Sequence, residues 1–119
     1  MNFESIIDDA INNNKALRGS FSGPINKDGS KVKLKTIVMK GEVHLQIEKF
    51  IDRKAFHENI AMGEAKARLV ALMNEYKQLF ITIDADSYQV FNNKGKIKAI
   101  SAKTENRQRR LAMTIRKTT

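Results

Sequence analysis

The chain has 119 residues, 41% of them hydrophobic, with 22 Lys plus Arg against 13 Asp plus Glu; this is typical of one folded domain and excludes a disordered chain. No apolar run approaches the roughly 20 residues that a membrane helix needs, and the acidic N-terminus is unlike a secretory signal. Because cysteine is absent, disulfides, thiolate zinc sites and cysteine nucleophiles are excluded, and we expect a cytoplasmic protein with no membrane partner.

The positive charge is concentrated at the C-terminal end of the chain. Residues 1–92 carry 13 basic and 12 acidic side chains, whereas residues 93–119 carry nine basic side chains and one acidic one. We therefore predict a single domain over residues 1–102 and a basic tail or linker over residues 103–119. Such a distribution suits a polyanionic partner. The alternatives are a tail that is merely solvated and a tail that joins a further domain.

The N-terminal elements are a helix and then a strand. Apolar residues at i, i+3, i+4 and i+7 predict an amphipathic helix over residues 3–13, with Asn2 as its N-cap. The period then changes to two, and a short strand that contains Leu17 and Phe21 ends near Gly23-Pro24. The turn-forming residues 26–30 follow.

The next segment predicts a β-hairpin. Two alternating runs, residues 31–39 and 42–48, flank Lys40-Gly41, and a two-residue turn there determines the cross-strand register. The predicted pairs are Val38 with Val43, Leu34 with Ile47, Lys35 with Gln46, and Lys33 with Glu48. Asp52-Arg53 then predicts another turn, followed by a short strand over residues 54–57.

The second half repeats the order of a helix and then strands. Residues 59–76 predict a helix whose buried stripe is Met62, Ala65, Leu69, Leu72 and Tyr76. Strands are predicted at 78–83, 88–91 and 96–102, with turns at 84–87 and 92–95. The predicted fold class is α+β: an antiparallel sheet in the order helix, three or four strands, helix, three strands, with two helices packed on one face and a basic C-terminal tail. Residues 103–119 fit either a basic helix or a flexible arm.

Catalytic and metal-binding motifs are poorly represented. His57 next to Glu58 could act as an acid–base pair, but histidines of this kind are more often surface or packing residues. Asp84 and Asp86 are two carboxylates without further oxygen ligands, and turn formation explains them. There is no glycine-rich phosphate loop, no zinc-binding histidine pair and no serine elbow. We therefore expect no enzymatic activity, no cofactor and no metal site.

Nucleic-acid binding is better supported. Lys94, Lys96 and Lys98 alternate along one predicted strand and should line one face, and arginines can bind phosphate through two donors. The candidate nucleic-acid-binding residues are Lys33, Lys35, Lys94, Lys96, Lys98, Arg107, Arg109 and Arg110. Tyr88 and Phe91 are the aromatic residues beside the basic strand; they should point to opposite faces, so at most one could stack on a base.

Two segments carry a family resemblance. Residues 40–48 (Lys-Gly-Glu-x-His-x-Gln-Ile-Glu) and 56–59 (Phe-His-Glu-Asn), within a matched region of roughly 16–102, resemble the N-terminal region of class I S-adenosylmethionine-dependent methyltransferases, mostly from Firmicutes. In that family a small α+β region precedes a Rossmann-like catalytic domain, whose glycine-rich cofactor loop has no counterpart here. The resemblance implies an accessory domain that presents a substrate, RNA above all, and does not bind S-adenosylmethionine itself. The motif positions are His44, Gln46, His57 and Glu58.

Two functional hypotheses follow. The first is a non-catalytic domain that binds RNA or another polyanion, mainly through phosphate contacts. The second is a protein–protein docking domain for a methyltransferase catalytic partner, in which the His44, Gln46, His57 and Glu58 face would make the contact and the tail would be a linker.

Overall fold

The computed structural model describes residues 2–24 and 31–101, which contain two helices and seven strands. The elements in chain order are α1 (Phe3–Asn12), β1 (Leu17–Pro24), β2 (Lys31–Met39), β3 (Glu42–Ile51), β4 (Lys54–Ala61), α2 (Met62–Glu75), β5 (Tyr76–Ile83), β6 (Asp86–Asn93) and β7 (Lys96–Ser101). The α+β class and the antiparallel sheet are confirmed. The predicted basic tail lies outside the described residues.

All seven strands form one antiparallel sheet in the order β4-β3-β2-β1-β5-β6-β7. Most neighbouring strands are also consecutive in the chain, but β1 and β5, which pair with each other, are separated by β2, β3, β4 and α2. In this pair Leu17 lies opposite Ile83 and Phe21 lies opposite Leu79. This pairing joins the two halves of the chain, α1 with β1–β4 and α2 with β5–β7. Neither half could bury the apolar face of its strands without the other.

The β2–β3 hairpin has the predicted register. Val38 lies opposite Val43, and Lys33 lies opposite Glu48. Lys40 and Gly41 form the turn with φ values of 52° and 80°. Positive φ at both central residues matches the right-handed twist of the flanking strands, so the turn and the apolar alternation select the same pairing.

The hydrophobic core lies between one face of the sheet and the two helices. Along the central strands the buried side chains alternate with more exposed ones, as shown by Val32 and Leu34 of β2, which lie between exposed lysines. Phe3 and Ile7 of α1 and Leu69 of α2 belong to the same buried cluster. We call this side of the sheet the helix face and the opposite side the open face. Complete burial of each large apolar side chain contributes about 1.5–3 kcal/mol to folding.

The predicted start of the second helix was wrong by three residues. Residues Asn59 to Ala61 extend β4, and α2 begins at Met62. Ile60 is buried opposite Leu45, and the Gln46 side-chain amide donates a hydrogen bond to Asn59 Oδ1 at 3.1 Å. Pairing with β3 therefore outweighs the helical pattern in this segment.

The predicted end of this helix also differs from the structure. Tyr76 begins β5 instead of closing α2, and its ring packs against Phe21 with 5.3 Å between centroids. The predicted buried stripe is otherwise confirmed at Ala65, Leu69 and Leu72, while Met62 is only partly buried and Met73 is buried in addition.

Candidate nucleic-acid interface

Six cationic side chains of the strands share the open face. Since side chains alternate along a strand, the register places them on the side opposite the core. They are Arg18 of β1, Lys31, Lys33 and Lys35 of β2, and Lys96 and Lys98 of β7. The described strands place two carboxylates on this face, Glu42 and Glu48 of β3. The open face therefore has an excess of positive charge.

Arg18 and Lys35 lie directly opposite each other on β1 and β2. Neither forms an ion pair within the described residues. Like charges in this position destabilise a sheet. Together with Lys33 and the carboxylate of Glu48, these two side chains border an open depression of about 330 Å³ on the sheet surface, with three cations against one anion. The repulsion between Arg18 and Lys35 lowers the stability of the folded sheet, and a bound anion would relieve it.

The lysines of the last hairpin occupy two different environments. Lys96 and Lys98 lie on the open face of β7, as predicted. Lys94 instead occupies the β6–β7 turn with φ of 52°, so the prediction that it lines the strand with the other two was wrong. Four strand spacings, about 19 Å in all, separate β7 from β2 along the sheet. The cations of the open face thus form two groups, one on β1 and β2 and one on β7.

The aromatic side chains divide between the two faces. Tyr88 packs against the core, whereas Phe91 is half-buried on the open face opposite Lys98. Burial raises the pKa of Tyr88. Phe80 of β5 also lies on the open face and is 42% exposed.

Sequence reasoning did not identify Phe80 or Arg18 as site residues. The signal for Phe80 was present, because it falls between Leu79 and Ile81 in a run where apolar residues 79, 81 and 83 alternate and are buried. Arg18 offered no such signal, since its importance depends on which strands flank β1.

Three of the four motif positions lie together. His44, Gln46 and His57 are on the open face of β3 and β4, and Nε2 of His57 lies 2.7 Å from Oε2 of Glu48. Glu58 lies on the helix face, where it accepts a hydrogen bond from Arg68 of α2 at 2.8 Å. His57 and Glu58 thus point to opposite sides of β4 and do not form the acid–base pair considered from the sequence.

His44 is more enclosed than His57, the other histidine of the motif. Its side chain is 21% exposed, and its Nε2 lies 3.8 Å from Oε2 of Glu42. Its Nδ1 is buried and has no hydrogen-bond partner within residues 2–24 and 31–101. The ring stands opposite Ile37, as the hairpin register predicted.

Within the described part of the chain, no cluster of three or more His, Asp or Glu side chains is arranged to hold a metal ion. Asp84 has a structural role there: its Oδ1 accepts a hydrogen bond from the Ala16 backbone N–H at 3.1 Å, and its own N–H donates to the Ala16 carbonyl at 2.8 Å. These bonds hold the β5–β6 turn against the start of β1.

Comparison with protein-family models, with curated proteins and with solved structures finds no match to this chain. Neither α1 nor α2, the helices of the described residues, has the length and apolar character to cross a membrane. Arg107, Arg109 and Arg110, which the sequence predicts to bind nucleic acid, lie outside the described residues.

Proposed function

We propose that the protein is a non-catalytic domain that binds nucleic acid, RNA in particular, through the open face of its sheet. The observation that carries this proposal is the pairing of Arg18 with Lys35, two cations on adjacent strands without a carboxylate partner among the described residues. A phosphate bound between them would offset their repulsion and would accept hydrogen bonds from both.

Phosphate contacts supply the affinity in this proposal. Each phosphate that a lysine or arginine neutralises releases counterions, so binding should weaken steeply with salt and vary little with sequence. Lys33 borders the same depression, and Lys96 and Lys98 form the second cationic group, about 19 Å away on β7. Lys94, in the adjoining turn, and the three tail arginines remain further candidates for phosphate contacts.

The test uses the double variant Arg18→Gln/Lys35→Gln and a fluorescein-labelled single-stranded RNA of mixed sequence. Binding should weaken, and the slope of log K against log salt should fall by about 0.7 for each phosphate that the variant no longer neutralises. The same variant should unfold at equal or higher denaturant concentration, because like-charge repulsion is removed.

The matched control is Lys49→Gln/Lys54→Gln, which removes two cations from the helix face of β3 and β4. Its RNA affinity should stay close to that of the wild type. Equal losses of affinity in both double variants would show a general charge effect and would contradict an open-face site. Absence of RNA binding by the wild-type chain at low salt would contradict the proposal altogether.

A docking role is the second candidate, and the exposed apolar side chains at one end of β3 and β4 favour it. Phe50, Ile51 and Phe56 are 38%, 40% and 53% exposed. Phe50 shares the open face with His44, Gln46 and His57, whereas Ile51 and Phe56 lie on the helix face of the same sheet edge. A partner that contacts both sides of this edge, such as a methyltransferase catalytic domain of the kind that the two motifs suggest, would use all of them. Binding to that domain should persist at high salt and be abolished in His44→Ala. RNA binding, by contrast, should be lost at high salt and retained in His44→Ala.

A further inference from the structure

Phe80 has no structural reason to face the open side of the sheet. Its neighbours Leu79 and Ile81 are buried, so the alternation of β5 directs the Phe80 ring to the open face, where 42% of the residue stays exposed. A polar residue at this position would complete the pattern of an antiparallel sheet with one solvated face. The described residues therefore leave a substantial part of this apolar side chain in contact with solvent.

The side chains around Phe80 are small or polar. Ser20 of β1 and Gln89 of β6 lie directly opposite it on the two sides. A second open depression of about 330 Å³ lies beside the ring and is bordered by Arg18, Thr82 and Ser87. Space next to an exposed aromatic face is what a flat aromatic ligand needs for stacking.

A diagonal line of side chains crosses the open face through Phe80. Arg18 is one diagonal step away on β1, and Phe91 is one diagonal step away on β6, because Phe80 pairs with Ser20 and Gln89. Lys98 lies directly opposite Phe91 on β7. Diagonal neighbours in an antiparallel sheet are about 7–8 Å apart. Along this line the order is therefore Arg18, Phe80, Phe91 and Lys98, with a cation at each end and two aromatic side chains between them.

This order of groups matches a single strand of nucleic acid. Single strands expose the flat faces of their bases, which stack on aromatic side chains without regard to sequence, while cations contact the backbone. A duplex keeps its base faces covered by their own stacking and would use only the cations. We propose that the open face binds single-stranded nucleic acid, with one base stacked on Phe80, a neighbouring base against Phe91, and phosphates at Arg18 and Lys98.

This inference rests on the proposed nucleic-acid binding and adds the strand state and the stacking residue. The experiment measures fluorescence anisotropy of the full chain with a labelled oligouridine, with a duplex of the same length, and with an oligonucleotide whose backbone lacks bases. The wild type should bind the oligouridine more tightly than the duplex. Phe80→Ala should weaken oligouridine binding by about 5- to 150-fold and leave binding of the base-free backbone unchanged.

The matched control is Phe56→Ala, which removes an exposed phenylalanine from the helix face of β4 and should leave oligouridine binding unchanged. Phe80→Tyr should retain affinity because it keeps an aromatic ring. Phe80→Leu should behave like Phe80→Ala, and it serves as the test variant if the alanine variant does not fold.

The results separate the two proposals. If the wild type binds oligouridine, duplex and base-free backbone equally and Phe80→Leu changes nothing, stacking is overturned while phosphate binding stands. If the wild type binds none of the three probes, both proposals are overturned. If Phe80→Leu leaves oligouridine binding intact but removes binding to a methyltransferase catalytic domain, the ring belongs to a protein interface and the inference is overturned.

Discussion

Gly19 of β1 lies so close to the backbone of Phe80 in β5 that a Cβ atom on Gly19 would sit 2.7 Å from the Phe80 carbonyl oxygen. The same Cβ would lie 3.2 Å from Cδ1 of Leu34. A glycine inside a strand often marks such a close approach of two backbones. Here it allows β1 and β5, the two strands that join the halves of the sheet, to approach closely next to Arg18 and Phe80.

We predict that Gly19→Ala destabilises the protein by about 1–3 kcal/mol, because the Phe80 carbonyl belongs to the β1–β5 ladder and cannot move aside. Chemical denaturation followed by circular dichroism measures the change. Ser20→Ala, at the next position on the open face, is the control and should change the free energy of unfolding by less than about 0.5 kcal/mol. Equal stability of Gly19→Ala and the wild type would show that the two strands separate readily.

A second prediction concerns Glu48, a carboxylate on the open face opposite Lys33. Glu48→Gln removes a negative charge from the proposed binding surface and should tighten RNA binding about two- to fivefold at low salt, the range expected for one exposed charge. Glu64→Gln, on the exposed side of α2, removes the same charge elsewhere and should have no effect. Anisotropy titrations measure both. Unchanged or weaker binding in Glu48→Gln would place the RNA away from β3.

A third prediction concerns pH. Lys15 Nζ lies 2.5 Å from Asp9 Oδ2, and this hydrogen bond holds the pKa of Asp9 below its ordinary value. A lowered folded-state pKa contributes stability above the pKa of the unfolded chain, and this contribution is lost as pH falls through the folded-state value. Asp9→Asn should therefore be less stable than the wild type at about pH 6, and the difference should shrink below about pH 4.

Thermal unfolding at a series of pH values measures this difference. Asp52→Asn is the matched control, because Asp52 lies in the β3–β4 turn with φ of 50°, a backbone conformation that Asn adopts readily, and it has no ion pair or hydrogen bond with the described residues. A constant gap between Asp9→Asn and the wild type from neutral to acidic pH would refute the assignment of the ion pair.

A fourth prediction concerns the N-terminus of α1. Asn2 is the N-cap, and its Oδ1 accepts a hydrogen bond from the Glu4 backbone N–H at 2.9 Å. Asn2→Ala leaves that donor without its partner and should cost about 1 kcal/mol of folding stability. Asn12→Ala, in the last turn of the same helix, should change stability far less. Denaturant titration of the two variants decides whether the cap contributes as the structure indicates.

Local patterns in the sequence were sufficient to predict α1 and the β2–β3 hairpin. In the hairpin, Lys40-Gly41 and the alternation of Val43, Leu45 and Ile47 restrict the register to one choice, because a shift by one residue would expose every apolar side chain. The start of α2 was predicted wrongly because residues 59–61 fit a helical period, and only the partner strand β3 makes them part of a strand.

The candidate site divides in the same way. The alternation in the sequence was enough to place Lys33 and Lys35 on the same side of one strand. It likewise placed Lys96 and Lys98 on the same side of a second strand. Whether these pairs share a surface depended on β1 joining β5, a pairing between residues about 60 positions apart in the chain that no local pattern encodes.

What the sequence by itself determined is therefore the set of elements and which side of each strand is apolar, because both follow from the conformational preferences and spacing of neighbouring residues. Only the tertiary structure decided that Arg18 stands against Lys35 and that Phe80 lies partly exposed between the two cationic groups. The physical reason is that burial of apolar area drives the two halves together on the helix face, and the side chains of the open face are carried into their positions by that packing.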